Sequence, residues 1–372
     1  MCAESLGMPK VALLFLSRGP IHQEVTWERW LQQAEGMVML PGTERGAYDI
    51  TWQQQQEALH ACKLERSIHR VTAKKQHMFR LYVHPSDPEF LGFHEGSIFS
   101  DSTVRNLLPA GNYYFSYELV EGVRSLLAAA LDDRLNQRFV ILCEACVPLY
   151  PPALIYVQLM HEAKSRVSLD ASSDTETEVS PDWNEQLQTK HGVNRLHHWK
   201  KGNQRNTLLR KHAELAVKDT QLVQAFVHAC GKCTVEERFF ATLMALNGQL
   251  DDVFTHSTLA YEDWSRQTWG GHPHDWQADE VNTTLLFKAR TDKGCSGSWT
   301  SESLHQAEQL LTSYLGPSDT WRPAQPPPPP FTPLQPECLL MARKFKPWTT
   351  ANIVNVFSDP VFRKWNYTQQ YG

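Results

Sequence analysis

The sequence predicts an α/β fold in which a Rossmann-like, mostly parallel sheet is flanked by helices. Three observations lead there. The run Lys10 to Leu16 is continuously apolar after its lysine, as a strand covered on both faces must be, Phe79 to His84 and Gln137 to Leu142 have strand character, and the first two stop at turn residues. Helix-period segments separate them, which is the alternation of a doubly wound sheet. Hydrophobic residues make up 41% and charged residues 21% of 372 residues, a globular composition with ample core.

Taken in order, Val11-Ala12-Leu13-Leu14-Phe15-Leu16 closes at Ser17-Arg18-Gly19 and reads as the first, central strand. Trp27, Trp30 and Leu31 follow at helical spacing and predict a helix that covers it. Residues from about 33 to 75, with Gln53 to Gln56 and a basic segment ending at Lys75, read as an insertion. The second strand ends at Pro85-Ser86-Asp87-Pro88 and so delivers His84 to the carboxyl edge, where open α/β sheets bind ligands. Leu126 to Leu131 predicts a helix, Gln137 to Leu142 a third strand, and Pro152 to Met160 a further helix. Ser168 to Asp182 is polar and aperiodic, a surface loop. Trp199-Lys200-Lys201-Gly202-Asn203-Gln204 is a basic, glycine-bearing turn that precedes Leu208, Leu209 and a helix through Ala216 ending near Asp219; it reads equally as a sugar or phosphate holder and as a solvated loop anchored by one Trp. Leu259 to Ser265 predicts an edge strand that exposes Trp264. The stretch from about 316 to 336, with Pro326 to Pro330 unbroken, is a Pro-rich loop that cannot enter a sheet, and Cys338 to Phe345 returns to a strand ending in Arg343 and Lys344. The expected organisation is a single domain over 9–372 carrying these two insertions.

The net charge of −5 provides no basic footprint, which argues against a nucleic-acid partner. The apolar run Val11 to Leu16 is far below the roughly 20 residues that span a bilayer, so the chain as written reads as soluble. Twelve Trp residues favour aromatic platforms as well as packing. The eight cysteines include two Cys-x-x-Cys pairs, Cys143/Cys146 and Cys230/Cys233. Zinc is disfavoured, because Cys143 and Cys146 sit in bulky apolar surroundings at the end of a strand; disulfides in an oxidising lumen and buried free thiols both stay open. Asn282-Thr283-Thr284 and Asn366-Tyr367-Thr368 fit the glycosylation triplet, a pattern that chance also produces.

Chemistry concentrates at Cys230-Gly231-Lys232-Cys233-Thr234-Val235-Glu236-Glu237-Arg238-Phe239-Phe240. Two carboxylates stand just ahead of the apolar run Phe239, Phe240, Leu243, Met244 and Leu246, at the lip of a predicted helix. A carboxylate there can act as a general base, or it can simply satisfy the positive end of the helix.

Several of these stretches, in this order, resemble the core-2/I-branching β-1,6-N-acetylglucosaminyltransferases of glycosyltransferase family 14, especially their plant and green-algal branch. They are Phe15 to Gly19, Leu81 to His84, Asn136 to Tyr150, Trp199 to Gln204, Cys233 to Phe239, Tyr261 to Ser265 with His272-Pro273, and Ala342 to Phe345, covering about residues 10 to 350. The resemblance implies a GT-A fold, a UDP-sugar co-substrate and an inverting transfer of N-acetylglucosamine to a glycan hydroxyl. The family's acidic pair aligns with Glu236-Glu237, which makes Glu237 the base that takes the acceptor proton. No Asp-x-Asp occurs in the chain, and the family is similar in holding the diphosphate with cations instead, so no metal or other cofactor is expected. The lysine falls on Lys344, beside Arg343, and its arginine partner matches Arg290. Ser17, Arg18, His84, Glu144 and Ala145 are implied for the nucleotide and sugar, and Trp264, Trp199, Lys200 and Glu236 for the acceptor. Cys295 and Cys338 flank the second insertion and are placed to form a disulfide holding Arg290 and Lys344 together.

Where the family has Asp-Glu-His-Tyr, this chain has Glu236-Glu237-Arg238-Phe239; Leu-Ser-Glu-Ser-Cys reads Leu142-Cys143-Glu144-Ala145-Cys146, and a Trp-Gly expected around Tyr117-Glu118 is missing. These departures leave open a glucuronosyl or galactosyl donor and a non-catalytic glycan-binding relative. Family members are membrane-anchored in the Golgi, the localisation the resemblance implies, whereas this chain begins almost at its first strand.

Overall fold

The computed structural model describes residues 9–33, 78–104, 117–170, 182–230, 233–266, 272–292, 295, 335–336 and 338–358. Most of both predicted insertions, residues 171–181 of the predicted polar loop, and Asn366 fall outside these residues.

Strands β1 (Lys10–Ser17), β2 (Phe79–Pro85) and β3 (Asn136–Cys143) lie where the apolar runs predict them and pair in parallel, with Leu16 opposite both His84 and Cys143. The sheet continues through short strands β6 (Thr207–Leu209), β5 (Ser165–Arg166) and β7 (Val253–Phe254) in the order β2-β1-β3-β6-β5-β7. Only β6 runs against the others. The mixed, mostly parallel six-stranded sheet between helices is that of a GT-A-like glycosyltransferase fold.

Alternation along β1 explains its composition. Val11, Leu13 and Phe15 face the core formed with α1 (Glu24–Gln33) and α3 (Pro152–His161), while Ala12 and Leu14 face the core formed with α2 (Tyr117–Leu131), α5 (Arg210–Lys218), α6 (Gln221–Ala229) and α7 (Val235–Leu246). A strand with helices on both sides has no polar face to show. Between β5 and β6, α4 (Glu185–His191) starts on the Asn184 side chain, which accepts from Gln186 N, and ends on Gly192 at φ 70°, a left-handed position that glycine adopts without strain.

A second, three-stranded sheet stands at the carboxyl edge in the order β4-β9-β8: β4 (Val147–Pro148), β9 (Met341–Ala342) and β8 (Ala260–Tyr261). It is fed by α8 (Thr283–Thr291), capped by Asn282, and is braced by α9 (Thr350–Ser358) against α1. Cys295 and Cys338 are disulfide-bonded with their Cα atoms 5.2 Å apart, joining the region after α8 to the approach to β9. Cys230 and Cys233 are also disulfide-bonded, just ahead of α7.

Leu208 and Leu209, which precede the predicted helix, lie in β6, where Leu208 and Thr207 pair with Phe139 and Val140, and the helix begins at Arg210.

Candidate active site

Glu237 stands in the first turn of α7 with its side chain about 31% exposed, and its carboxylate pairs with Lys201 at 3.1 Å. Its neighbour Glu236 turns inward and is 9% exposed. The helix sets this difference: successive residues point about 100° apart, so one carboxylate faces solvent while the next faces the core.

The loop 199–205 holds Glu237 against the rest of the site. Trp199 is completely buried between Trp183, Phe226 and the Arg238 guanidinium, which lies 4.6 Å over its ring. Lys200 N donates to Thr242 Oγ1, Gly202 N to the Glu237 carbonyl at 2.7 Å, and Asn203 N to Ser168 Oγ. Gly202 has no substitute: a Cβ there would lie 1.9 Å from the Ser168 carbonyl oxygen. From the far end of the loop, Asn203 Nδ2 reaches Glu262 at 3.4 Å and Arg205 points its charge at the same carboxylate.

Opposite stands a rigid cationic segment. Arg343 N donates to Tyr261 O, Phe345 N to Ala145 O, and Trp276 donates from N to Lys344 O and from Nε1 to Arg343 O. Held on each side, Arg343 pairs with Glu262 at 2.7 Å, and its Nε finds no hydrogen-bond partner among the described residues. Burial and the adjacent Arg343 push the Lys344 ammonium down to about 8, with Arg205 and Lys346 adding to the fall and Asp275 opposing it. His272 is pushed down by burial and then by Lys344 and Arg343. Burial acts to lower Arg205 too, but Cys143 and Glu262 outweigh it and hold the guanidinium above its ordinary value. The Lys344 and His272 shifts mark a concentration of positive charge, which Glu262 and Cys143 offset at Arg205.

Cys143 and Cys146 lie under this patch with their sulfurs 2.7 Å apart. The hydrogen bond from Cys146 holds the Cys143 thiol down at about 6, assisted by Arg343 and Arg205, while burial drives Cys146 up. The turn between them carries Glu144, whose carbonyl accepts from His22 N.

Along the carboxyl edge of β2-β1-β3 the chain places His84, Ser17, Arg18, Glu144 and Ala145 side by side. Ser86 N and Asp87 N donate back to the carbonyls of Ser17 and Arg18. Beside them opens a cavity of about 530 Å³ lined by His84, Asp87, Phe90, Phe93, Asp101 and Thr103, among others. Apolar rings with two carboxylates suit a heterocycle and a ribose.

The core-2/I-branching enzyme model matches residues 60–288. The chain belongs to this family. A rice protein (Oryza sativa subsp. japonica), glycosyltransferase BC10, is 26% identical over 244 residues, which cover 57% of this chain and 58% of that relative. The chain thus spans less than two thirds of the length of the curated relative it matches.

The family's motifs meet in space, but not every residue they implied reaches the site. Arg343, Trp264 and Asn203 all bond Glu262, and Glu237 joins them through Lys201 of the loop that carries Asn203. Trp199 cannot stack on an acceptor because none of its surface is exposed; it anchors the loop instead. Lys200 spends its ammonium on the Leu196 carbonyl at 2.7 Å, and Lys201 is the lysine that meets Glu237. Glu236 is removed from an acceptor by its burial. Arg290 is buried at the other end of the β4–β9 ladder, donating to Leu149 O at 2.7 Å and stacked over Tyr150, and burial lowers it far below its ordinary value. Arg205 is among the charges that lower Lys344. Arg205, Lys201 and Glu262 are the site residues that motif order did not single out. The basic loop and the Tyr261-Glu262-Asp263-Trp264 run held that signal.

Proposed function

We propose that this chain is an inverting glycosyltransferase that moves a sugar from a UDP-sugar, with UDP-N-acetylglucosamine as the leading donor, onto a glycan hydroxyl in β-linkage. The observation that carries the reading is the half-exposed Glu237 carboxylate held by loop 199–205 across from the Arg205, Arg343 and Lys344 charges. In an inverting transfer the acceptor oxygen attacks the anomeric carbon as a base removes its proton, and the nucleoside diphosphate departs with growing negative charge. Glu237 is the base. The cations meet the departing diphosphate, and the Arg343 Nε–H offers it a donor. Lys201 pairs with Glu237 and holds its carboxylate in place until the acceptor arrives. Trp264 offers its indole to the apolar face of the acceptor ring, and the cavity at His84 to Thr103 takes the nucleoside.

Because the cations supply the electrostatic role that a divalent ion plays elsewhere, the reaction runs without a metal. The two disulfides fit an oxidising lumen, and we place the protein in the Golgi with its glycan acceptor. A donor-hydrolysis screen over UDP-sugars, with and without EDTA, tests the reading. UDP-N-acetylglucosamine is expected to be cleaved fastest and EDTA to leave the rate within twofold. Faster cleavage of UDP-glucuronate or UDP-galactose would replace the donor, and loss of activity on chelation would sink the metal-free mechanism.

A further inference from the structure

Glu262 divides its carboxylate between the two halves of the site. Its Oε1 accepts from Arg343 Nη1 at 2.7 Å, and its Oε2 accepts from Trp264 Nε1 at 3.0 Å and from Asn203 Nδ2 at 3.4 Å. Strand alternation beyond β8 creates this arrangement. Glu262 and Trp264 project to one side, while Asp263 projects to the other and holds Ser265 and Arg266. The Glu262 side chain is 5% exposed, yet Trp264 is 47% exposed, so the indole is held by one edge with its face free.

A carboxylate shared in this way responds to what binds nearby. An anion on Arg343, Arg205 and Lys344 competes with Glu262 for the Arg343 guanidinium, and the displaced charge falls on Trp264 Nε1 and Asn203 Nδ2. We propose that Glu262 is a positioning residue which couples the cations to Trp264, so that a nucleoside diphosphate bound at the cations fixes the indole for the acceptor sugar. Coupling of this kind is reciprocal, so an acceptor on Trp264 strengthens diphosphate binding by the same factor. The inference rests on the transferase reading.

The test uses the protein labelled with 5-fluorotryptophan, the Trp264 resonance being assigned by its loss in Trp264→Phe. UDP is the probe, and its binding is measured separately by calorimetry. In the wild type UDP is expected to shift the Trp264 fluorine resonance. In Glu262→Gln, which removes the carboxylate that competes for Arg343, UDP is expected to bind at least as tightly as in the wild type while the Trp264 resonance stays still. A merely structural Glu262 would change the melting temperature without uncoupling the two signals. A response that persists in Glu262→Gln overturns the proposal, and so does a silent Trp264 in wild-type protein with UDP bound, an arm that needs no variant. Failure of UDP to bind the wild type at all is a different result: it removes the transferase reading and this coupling with it.

Discussion

At the scale of single residues, Lys344 gives the most direct handle. Its ammonium titrates near 8 in the folded protein and near its ordinary value of about 10.4 when unfolded, so between those limits the unfolded chain binds more protons and stability rises with pH. An anion reverses the shift. A diphosphate seated beside Lys344, Arg343 and Arg205 restores the proton, so UDP binding takes up about one proton at pH 9 and much less at pH 7, and affinity falls as pH rises through 8. Calorimetry of UDP binding in buffers of different ionisation enthalpy reads the uptake directly, and its absence at pH 9 would separate Lys344 from the diphosphate. The two arginines part in the same way. Arg205→Ala is expected to weaken UDP at least tenfold at little cost in stability. Arg290→Ala, which vacates a buried position under Leu149 and Tyr150, is expected to lower the melting temperature and leave UDP affinity within threefold. Motif order pointed to Arg290 because it lies upstream of Lys344. Local spacing carries no record of which distant arginine folds back, and Arg205 comes from the loop just ahead of β6.

At the scale of elements, the loop 199–205 decides how base and cations face each other. Gly202 permits it, since its backbone passes under the Ser168 carbonyl and its N–H grips the Glu237 carbonyl. Gly202→Ala must push the loop outward, which should cost about 1–3 kcal/mol. Thermal unfolding measures that loss, and the transfer rate should fall further than the stability change explains because Glu237 moves with the loop. A wild-type rate in Gly202→Ala would show that the loop does not set the base. Elements differed in how well the sequence displayed them. Strands β1, β2 and β3 were legible because burial on both faces leaves continuous apolar runs. Strands of two or three residues, such as Thr207–Leu209, leave no period to read. The basic turn at 199–204 was visible as a candidate, but which of Trp199, Lys200 and Lys201 faces outward depends on the pocket formed by Trp183, Phe226 and Arg238.

At the scale of the whole molecule, two sheets bring residues far apart in sequence to one edge. The large sheet delivers the ends of β1, β2 and β3, and the small sheet delivers Glu262 after β8 and Arg343-Lys344 after β9. The order of motifs along the chain was enough to predict the fold and the family, because order survives substitution. Which residues touch was not legible, since it depends on the pairing of β4, β8 and β9 across long separations. The central claim is that Glu237 is the base of a transferase whose donor is held elsewhere. Glu237→Gln, assayed for transfer and for UDP-induced thermal stabilisation in the same preparation, tests it most directly. Transfer should fall by about 10²–10⁴-fold while UDP still raises the melting temperature as in the wild type. Transfer within tenfold of the wild type, or loss of UDP stabilisation along with it, would contradict the assignment.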